Sequence, residues 1–314
     1  MSVLVGLDIG GTKCAVSIGQ EDQGGLRLLA REEIPTPREQ TVAMDQLCTL
    51  AARLLNSAVP VGIGISAGGP LDAAKGVLHN PPNLPGWKDV SLTAFATQRL
   101  HAPAALENDA NACALAEWRW GAGKGSHTMA FLTFGTGLGC GIVLDGQLLR
   151  GATGDAGEVG HWRLSGQGPA GYGKIGSFEG FCSGGGLRQL ATTIAERERQ
   201  AGRVPAYANG EPISARTVAQ AALAGDAAAR EVFSECGEWL GRGLALLIDF
   251  LNPDRIVIGS IYTRSQALLE PSMRAVLARE ALPRALDACS IVAAQLGDRI
   301  GDYAALALAA KAAG

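Results

Sequence analysis

Phe131-Leu-Thr-Phe-Gly-Thr-Gly-Leu-Gly-Cys-Gly-Ile-Val-Leu144 is the stretch from which the fold can be deduced. Two apolar runs typical of β-strands, Met129 to Phe134 and Gly141 to Leu144, flank its glycine-rich turn. Asp145-Gly146 then predicts a hairpin turn before a further strand from Gln147 to Arg150. We therefore expect a β-meander to begin here.

The glycines of this turn suggest a binding role. Glycines at positions 135, 137, 139 and 141 leave backbone N–H groups uncovered, so the main chain can close around phosphate oxygens. A glycine-rich turn that serves packing alone fits the same residues. Further along, Glu158 and His161 lie three positions apart in a glycine-flanked loop, a pair suited to binding hydroxyl groups.

A second glycine turn near the N-terminus resembles the first. The apolar run from Val3 to Leu7 ends in Asp8-Ile-Gly10-Gly11-Thr12-Lys13, and another apolar run follows from Cys14. A shift of 126 positions aligns Gly11 with Gly137 and Cys14 with Cys140. Two hairpins of one design, one in each half of the chain, predict a duplicated domain.

Asp8 stands at the end of the first predicted strand, so its carboxylate can reach whatever the turn binds. Mg²⁺ bound to phosphate prefers such an oxygen ligand, usually through water. Thr12 and Lys13 could add a hydroxyl group and a positive charge. Alternatively, Asp8 only stabilises an Asx-type turn.

The remaining pattern alternates strands and helices, which predicts an α/β fold with covered sheets. Residues 21–25 predict a polar turn. Predicted strands are 26–31, 61–65 and 104–107, and residues 252–259 predict a turn into a buried strand. Predicted helices are 42–55, 187–200, 214–224, 227–251 and 265–279.

The segment Asn80-Pro-Pro-Asn-Leu-Pro-Gly-Trp87 cannot be helical because it contains three prolines. Asn80 and Asn83 offer neutral donors and acceptors, and Trp87 offers an apolar face. This mixture suits a sugar ring, although a rigid surface loop would have the same composition.

A helix is predicted from about Asp109, with Asn108 or Asp109 as its N-cap. The positive end of a helix keeps a carboxylate ionised. Asp109 could therefore accept the proton of an attacking hydroxyl group, as an aspartate does in sugar and protein kinases. A purely structural Asx cap is the alternative.

Composition narrows the function classes. The 314 residues carry a net charge of −3, which argues against nucleic acid or anionic membranes as partners. Seven dispersed cysteines without a Cys-x-x-Cys pair argue against disulfides and thiolate zinc. Together with an N-terminus that lacks the features of a signal peptide, these observations predict a cytoplasmic protein.

Six ordered segments resemble the ROK family (repressors, open reading frames and sugar kinases) of the actin-like ATPase superfamily. The resemblance implies an α/β fold of two actin-like (ribonuclease H-like) lobes with a central cleft. It implies an N-terminal lobe of 1–117 plus 299–314 and a C-terminal lobe of 118–298. The segments are Asp8-Ile-Gly-Gly-Thr-Lys13, Glu107-Asn-Asp-Ala-Asn-Ala112, Phe134-Gly-Thr-Gly-Leu-Gly139, Arg150-Gly-Ala, Gly157-Glu-Val-Gly-His161 and Asn252-Pro-Asp-Arg-Ile-Val-Ile-Gly259.

The same resemblance implies a kinase that binds ATP with Mg²⁺ in the cleft and a hexose at its base. Asp109 matches the catalytic base that takes the proton of the sugar 6-hydroxyl group. The implied sugar ligands are Asn83, Asn108, Asp109, Glu158, His161 and Glu179, and the implied ATP-binding residues are Asp8, Gly10, Gly11, Thr12, Lys13, Thr136, Gly137 and Gly259.

The chain departs from the family pattern twice. Many members carry a Cys-Gly-Cys-Gly-x-x-Gly-Cys zinc segment, where this chain has Ala170-Gly-Tyr-Gly-Lys-Ile-Gly-Ser177. Cys182 and His161 cannot complete a four-ligand structural site, so we expect no structural zinc. Gly259-Ser260-Ile261 replaces a glycine pair near the adenosine, which leaves nucleotide preference open.

Glucose is the expected hexose because Asn83-Leu-Pro-Gly-Trp87 resembles the glucokinase members. N-acetylhexosamines, mannose, fructose and allose stay open, and so does a catalytically silent sugar sensor. The family's repressors carry a helix-turn-helix before this core, and we expect no room for one before Asp8. A homodimer, with Trp118 and Trp120 either at its interface or in the core, stays open.

Overall fold

Strands and helices alternate along the computed structural model, which describes residues 2–22 and 25–314. Part of the predicted polar turn at 21–25 lies outside the described residues. The strands are β1 (Ser2–Ile9), β2 (Lys13–Asp22), β3 (Gly25–Pro35), β4 (Pro60–Ala67), β5 (Leu71–Asp72), β6 (Val77–Leu78), β7 (Val90–Ser91), β8 (Ala104–Asn108), β9 (Thr128–Leu132), β10 (Cys140–Leu144), β11 (Gln147–Leu148), β12 (Ala170–Gly171), β13 (Lys174–Ile175), β14 (Arg255–Ile258) and β15 (Ser290–Ala293).

Most predicted helices lie where the sequence pattern indicated. The helix expected at 265–279 begins earlier, at Ile261, and has a kink at Ser265 where φ is −129°. Among the described residues, no helix combines the length and apolarity needed to cross a bilayer. The helices are α1 (Gln40–Leu55), α2 (Leu92–Leu100), α3 (Asp109–Trp120), α4 (Phe178–Phe181), α5 (Gly184–Gln200), α6 (Ala215–Leu223), α7 (Ala227–Leu251), α8 (Ile261–Glu280), α9 (Pro283–Ala288) and α10 (Ile300–Ala312).

The chain divides into two compact units. The lobe boundaries expected from the family resemblance stay a prediction. Unit 1 comprises Met1–Gly125, Gly141–Ala156 and Gln295–Gly314, and unit 2 comprises Ser126–Cys140 and Gly157–Ala294.

Unit 1 contains a five-stranded sheet in the order β3-β2-β1-β4-β8. β1 pairs antiparallel with β2 and parallel with β4, and β4 pairs parallel with β8. Alternation along β1 directs Val5, Leu7 and Ile9 into one apolar core, which also contains Met44 and Leu47 of α1. These alternate side chains therefore fix one face of the sheet against α1.

Helix α10 covers the other face of this sheet. Its middle is rich in alanine, and Leu306 and Ala309 pack against Leu4 of β1. Gly62 and Gly64 of β4 allow the close approach, since a Cβ atom at either position would overlap a carbonyl oxygen of α10. The C-terminal helix is thus held directly on the strand that carries Asp8.

Unit 2 is built on the parallel strands β9, β14 and β15. Ile256 in the central strand pairs with Ala130 on one side and Ile291 on the other. Helices α7 and α8 pack together closely, because Gly237 and Gly241 of α7 face backbone carbonyls of α8. Both units therefore contain three parallel strands, as the predicted duplication requires. These are β1, β4 and β8 in unit 1 and β9, β14 and β15 in unit 2.

Candidate functional site

The first glycine turn joins β1 to β2 and is tied down by one threonine. Gly10 N donates to Lys13 O at 3.1 Å. Thr36 Oγ1 donates to Gly10 O at 2.6 Å, and Thr36 N donates to Thr12 O at 3.1 Å. Gly11, Thr12 and Lys13 remain exposed, so the predicted phosphate residues are accessible to a ligand.

Asn83 lies against this turn, and the absence of side chains at Gly11 and Gly68 permits this close contact. A Cβ atom on Gly11 would lie 2.6 Å from Asn83 O, and one on Gly68 would lie 3.0 Å from Asn83 Nδ2. The structure therefore brings a predicted sugar ligand beside a predicted phosphate loop. Side chains at positions 11 or 68 would push Asn83 away.

Trp87 does not present a face to a sugar, contrary to the sequence-based prediction. It is 1% exposed, belongs to the core of unit 1, and donates Nε1–H to Pro37 O at 3.3 Å. Since the three prolines rule out a helix, the segment folds as successive turns, and burial of Trp87 anchors them.

Asp8 reaches the start of α10. A Cβ atom on Gly301, in the first turn of that helix, would lie 2.5 Å from Asp8 Oδ2. Burial raises the pKa of Asp8 to about 6, and repulsion from Asp302 and then Asp109 adds to the effect. Unit 1 thus concentrates three carboxylates beside the first glycine turn.

Asp302 is a member of this cluster that the sequence did not single out. Its side chain is 3% exposed, and both carboxylate oxygens accept from Arg31 Nε, at 3.0 and 2.8 Å. The two residues are separated by 271 positions, so no local pattern could have revealed the pair.

Asn108 is the N-cap of α3, and Asp109 is its first helical residue. Asn108 Oδ1 accepts from Asn111 N at 2.8 Å, and Asp109 Oδ1 accepts from Ala110 N at 2.8 Å. Burial nevertheless raises the pKa of Asp109, and the amides of Ala110 and Asp109 oppose the shift without cancelling it. The helix end is therefore not the dominant influence that the sequence suggested.

The second glycine turn follows β9 in unit 2. Gly135 N donates to Gly137 O at 2.9 Å, and Thr133 N donates to Gly139 O at 3.0 Å. Gly139 N donates in return to Thr133 Oγ1 at 2.9 Å. These bonds leave Thr136 exposed at the tip of the turn.

Glu179 of α4 is in direct contact with this turn. Its Oε2 accepts from Leu138 N at 3.0 Å, and a Cβ atom on Gly137 would lie 2.6 Å from the same oxygen. The structure therefore brings together a predicted sugar ligand and a predicted phosphate residue. Glycine at 137 makes this contact possible.

The N-terminus of α5 supports the second turn from another side. Gly184 N donates to Gly135 O at 2.8 Å, while the N-cap Ser183 accepts from Gly186 N at 2.9 Å. The first turn of this helix consists of Gly184, Gly185 and Gly186, and two of its amides are used in these bonds. Such a helix start favours anions.

Gly259 follows β14 next to the end of β9. Gly259 N donates to Leu132 O at 2.9 Å, and Ile261 N donates to Phe134 O at 3.0 Å. Thr136, Gly137 and Gly259 therefore lie at the carboxyl ends of two adjacent parallel strands, where α/β sheets bind ligands. Ser260 has a φ of +54°, a conformation that suits glycine.

The turn with Glu158 and His161 lies beside the second glycine turn. A Cβ atom on Gly160 would be 2.5 Å from Leu138 O, so glycine is required there. Glu158 Oε2 and His161 Nε2 are 3.8 Å apart, with both side chains exposed. Unit 2 therefore brings Glu158, His161 and Glu179 to one turn.

The segment that aligns with the family's zinc motif forms the hairpin of β12 and β13. Tyr172 at its tip packs edge-on against the ring of His161, with centroids 5.1 Å apart. Lys174 Nζ donates to His161 O at 2.6 Å. Within the described ranges, no cluster of three or more His, Cys, Asp or Glu residues is arranged to hold a metal. The absence of zinc stays a prediction.

The predicted site residues thus form two groups. In unit 1, Asn83 and the Asn108-Asp109 pair lie with the first turn and Asp8. In unit 2, the sugar-ligand candidates Glu158, His161 and Glu179 lie around the second turn, together with the ATP-binding candidates Thr136, Gly137 and Gly259. The sequence missed Thr36 and Asp302, because only their tertiary contacts connect them with these groups.

The chain is similar to known proteins along almost its whole length. The chain is 31% identical to a glucokinase of Streptomyces coelicolor over 98% of both chains. The structure of a ROK glucokinase from Streptomyces griseus, in complex with glucose and AMPPNP, has a TM-score of 0.77 at 31% identity and covers 99% of this chain and 100% of its own. A ROK transcriptional regulator has a TM-score of 0.86 at 25% identity and covers 99% of this chain and 78% of its own.

The fold is the actin-like α/β fold of these structures. A model of the ROK family matches residues 4–312, and the chain therefore belongs to the ROK family.

Proposed function

We propose that the protein is an ATP-dependent hexose kinase that transfers the γ-phosphate of ATP to the 6-hydroxyl group, with glucose as first-choice substrate. The supporting observation is Asp109 in the first turn of α3, within the field of Asp8, in a chain related to glucokinases. Asp109 is the candidate base of this reaction.

Asp109 would accept the proton of the sugar 6-hydroxyl group while the oxygen of that hydroxyl group forms a bond to the γ-phosphorus. The bond from that phosphorus to the β–γ bridging oxygen breaks, and ADP leaves. Burial raises the pKa of Asp109, which makes its carboxylate a stronger proton acceptor. The N-cap bond of Asn108 fixes the helix start that carries it.

Asp8 fits a role in holding Mg²⁺. Burial raises the pKa of Asp8, repulsion from Asp302 and Asp109 adds to the effect, and a divalent cation would relieve that repulsion. Asp8 would hold the ion through water, and Mg²⁺ would supply neutralisation of phosphate charge. Catalysis then rests on positioning and electrostatics rather than on a covalent intermediate.

The two glycine turns are the proposed contacts to ATP. Neither Gly11 nor Gly137 has room for a side chain, so bare amides line both turns. In the first turn, Thr12 and Lys13 add a hydroxyl group and a positive charge. The proposed ATP-binding residues are Asp8, Gly10, Gly11, Thr12, Lys13, Thr136, Gly137 and Gly259.

The proposed sugar ligands are Asn83, Asn108, Asp109, Glu158, His161 and Glu179. Hexoses differ by the orientation of single hydroxyl groups, so N-acetylhexosamine, mannose, fructose and allose kinases are the alternatives. A coupled assay of ADP release over these sugars tests the proposal, with ³¹P–¹H NMR to locate the phosphate. No ADP release with any sugar would refute kinase function.

A non-catalytic sugar sensor is the second candidate, favoured by the likeness to a ROK transcriptional regulator. It predicts calorimetrically detectable sugar binding without sugar-dependent ADP release. A kinase predicts both binding and sugar-dependent ADP release.

We further propose that the protein is cytoplasmic and that it binds neither nucleic acid nor membrane. A homodimer stays open, and the proposed kinase requires no structural zinc. About one zinc per purified chain would contradict the last point.

A further inference from the structure

Glu107 directly precedes the Asn108-Asp109 pair and is 2% exposed. Its Oε1 accepts from Asn108 N and from Asn111 Nδ2, both at 3.1 Å. Its Oε2 accepts from Arg150, at 2.8 Å from Nε and 2.7 Å from Nη2. One buried carboxylate therefore holds the residues on both sides of Asp109, and one guanidinium neutralises it.

Arg150 belongs to the segment Gly141–Ala156, which lies in unit 1 and packs along α3. A Cβ atom on Gly141 would lie 2.6 Å from Ala110 O, and one on Gly146 would lie 2.7 Å from Trp118. The two glycines permit contact at both ends of the helix. The backbone that carries Arg150 is thus fixed against α3.

We infer that the Glu107–Arg150 pair is a positioning device for Asp109, an inference that rests on the proposed kinase function. Removal of Arg150 would leave a buried carboxylate without its hydrogen-bonded cation, which is strongly unfavourable. The Glu107 side chain would then move toward water or toward Lys311, the other cation in its field, and its bonds to Asn108 and Asn111 would weaken. The start of α3, and with it Asp109, would lose its fixed position.

The test compares Arg150→Met with Arg119→Met. Arg119 makes a similar two-bond pair at the other end of α3, with Nε and Nη2 each 2.7 Å from Glu21 oxygens. For Arg150→Met we expect kcat to fall on the order of 100-fold, with hexose KM changing by less than about threefold. Arg119→Met should keep the wild-type kcat.

Arg150→Lys is the conservative variant. Lysine restores the charge without the two-pronged geometry of the guanidinium, so it should recover only part of kcat. A wild-type kcat in Arg150→Met, a loss matched by Arg119→Met, or a change confined to KM would each overturn the inference.

Hydrogen exchange provides a readout that does not depend on activity. Arg150→Met should accelerate exchange of the Asn108 and Asn111 amides about tenfold or more, and Arg119→Met should not. Unchanged exchange at both amides would refute the positioning role even in a protein that phosphorylates no sugar. Absence of sugar phosphorylation by the wild type, with the exchange difference present, would instead refute only the proposed kinase function.

Discussion

The two glycine turns have similar sequences, but different contacts stabilise them. Thr36 and the backbone of Asn83 hold the turn at Gly10-Gly11. The turn at Gly135–Gly137 is instead held by the Glu179 carboxylate, which accepts an amide hydrogen from Leu138. Duplicated sequence therefore does not mean duplicated stabilisation.

Carboxylates also have different surroundings at the two turns. Beside the first turn, Asp8 lies in the field of Asp302 and Asp109, and its pKa rises to about 6. Beside the second, Glu179 makes a hydrogen bond with the turn itself. We propose that the first turn is the one suited to a cation, and the Glu179 carboxylate stabilises the second turn through its bond to Leu138 N.

The largest expected effect is a loss of turnover, which should distinguish Asp109 near the first turn from Glu179 at the second turn. Asp109→Asn should lower kcat by roughly 1,000-fold, because it removes the proton acceptor. Sugar binding measured by calorimetry should persist. Glu179→Gln should chiefly raise hexose KM, and Asp72→Asn, which alters an exposed pair with Lys75, should change neither. Near wild-type turnover in Asp109→Asn would show that Asp109 is not the base.

Alanine at equivalent positions of the turns should have unequal costs. Gly11→Ala would meet the backbone oxygen of Asn83, which cannot move freely, whereas Gly137→Ala would meet the end of the Glu179 side chain. We expect losses of about 3 and about 1 kcal/mol in the free energy of unfolding, measured with urea. Equal losses would contradict the difference in stabilisation.

The stability of Asp8→Asn should depend on pH. The folded pKa of Asp8, about 6, exceeds its usual value, so the folded state binds the proton more tightly and wild-type stability falls as pH rises through about 4 to 6. In metal-free buffer at pH 7.5, Asp8→Asn should be more stable than wild type by roughly 1–3 kcal/mol. The gain should vanish near pH 4.

Asp72→Asn is the control for this pH dependence, because Lys75 lowers the pKa of the exposed Asp72. It should produce no gain at pH 7.5. A constant difference between Asp8→Asn and wild type over the whole pH range would mean that Asp8 does not carry the shifted charge.

The smallest effect concerns Ser260, which follows the strand beside the second turn. Its φ of +54° and ψ of −108° are unfavourable for a residue with a side chain. Ser260→Gly should raise the free energy of unfolding by about 1 kcal/mol, even after the larger entropy of glycine in the unfolded chain. Ser260→Ala retains the strain and should not stabilise. Equal stability of the two variants would remove strain as the explanation.

Much of the fold follows from local patterns. The helix start at Asp109 could be predicted because an Asx residue precedes an alanine-rich run, and Asn108 is indeed its cap. The glycine turns could be predicted because apolar strands flank them. The start of α8 could not, since Ile261 is held by a bond to Phe134, a residue distant in sequence.

The candidate site shows the same limit. Asp8, Asp109 and Glu179 could be nominated from motifs, because their residue types suit the chemistry and stand beside glycine or a helix start. The prediction that Trp87 offers its face to a sugar was wrong, because the ring is buried in the core. An aromatic residue in a turn has the same sequence context whether its ring faces solvent or the core.

The sequence by itself determined the family, the α/β alternation and the two glycine turns, because these depend on residue type and short spacing. The tertiary structure alone decided which carboxylates interact. Asp302 reaches Arg31 and Glu107 reaches Arg150 only because the tertiary fold brings together residues that are distant in the sequence. Charge interactions depend on distance and burial, and separation along the sequence specifies neither.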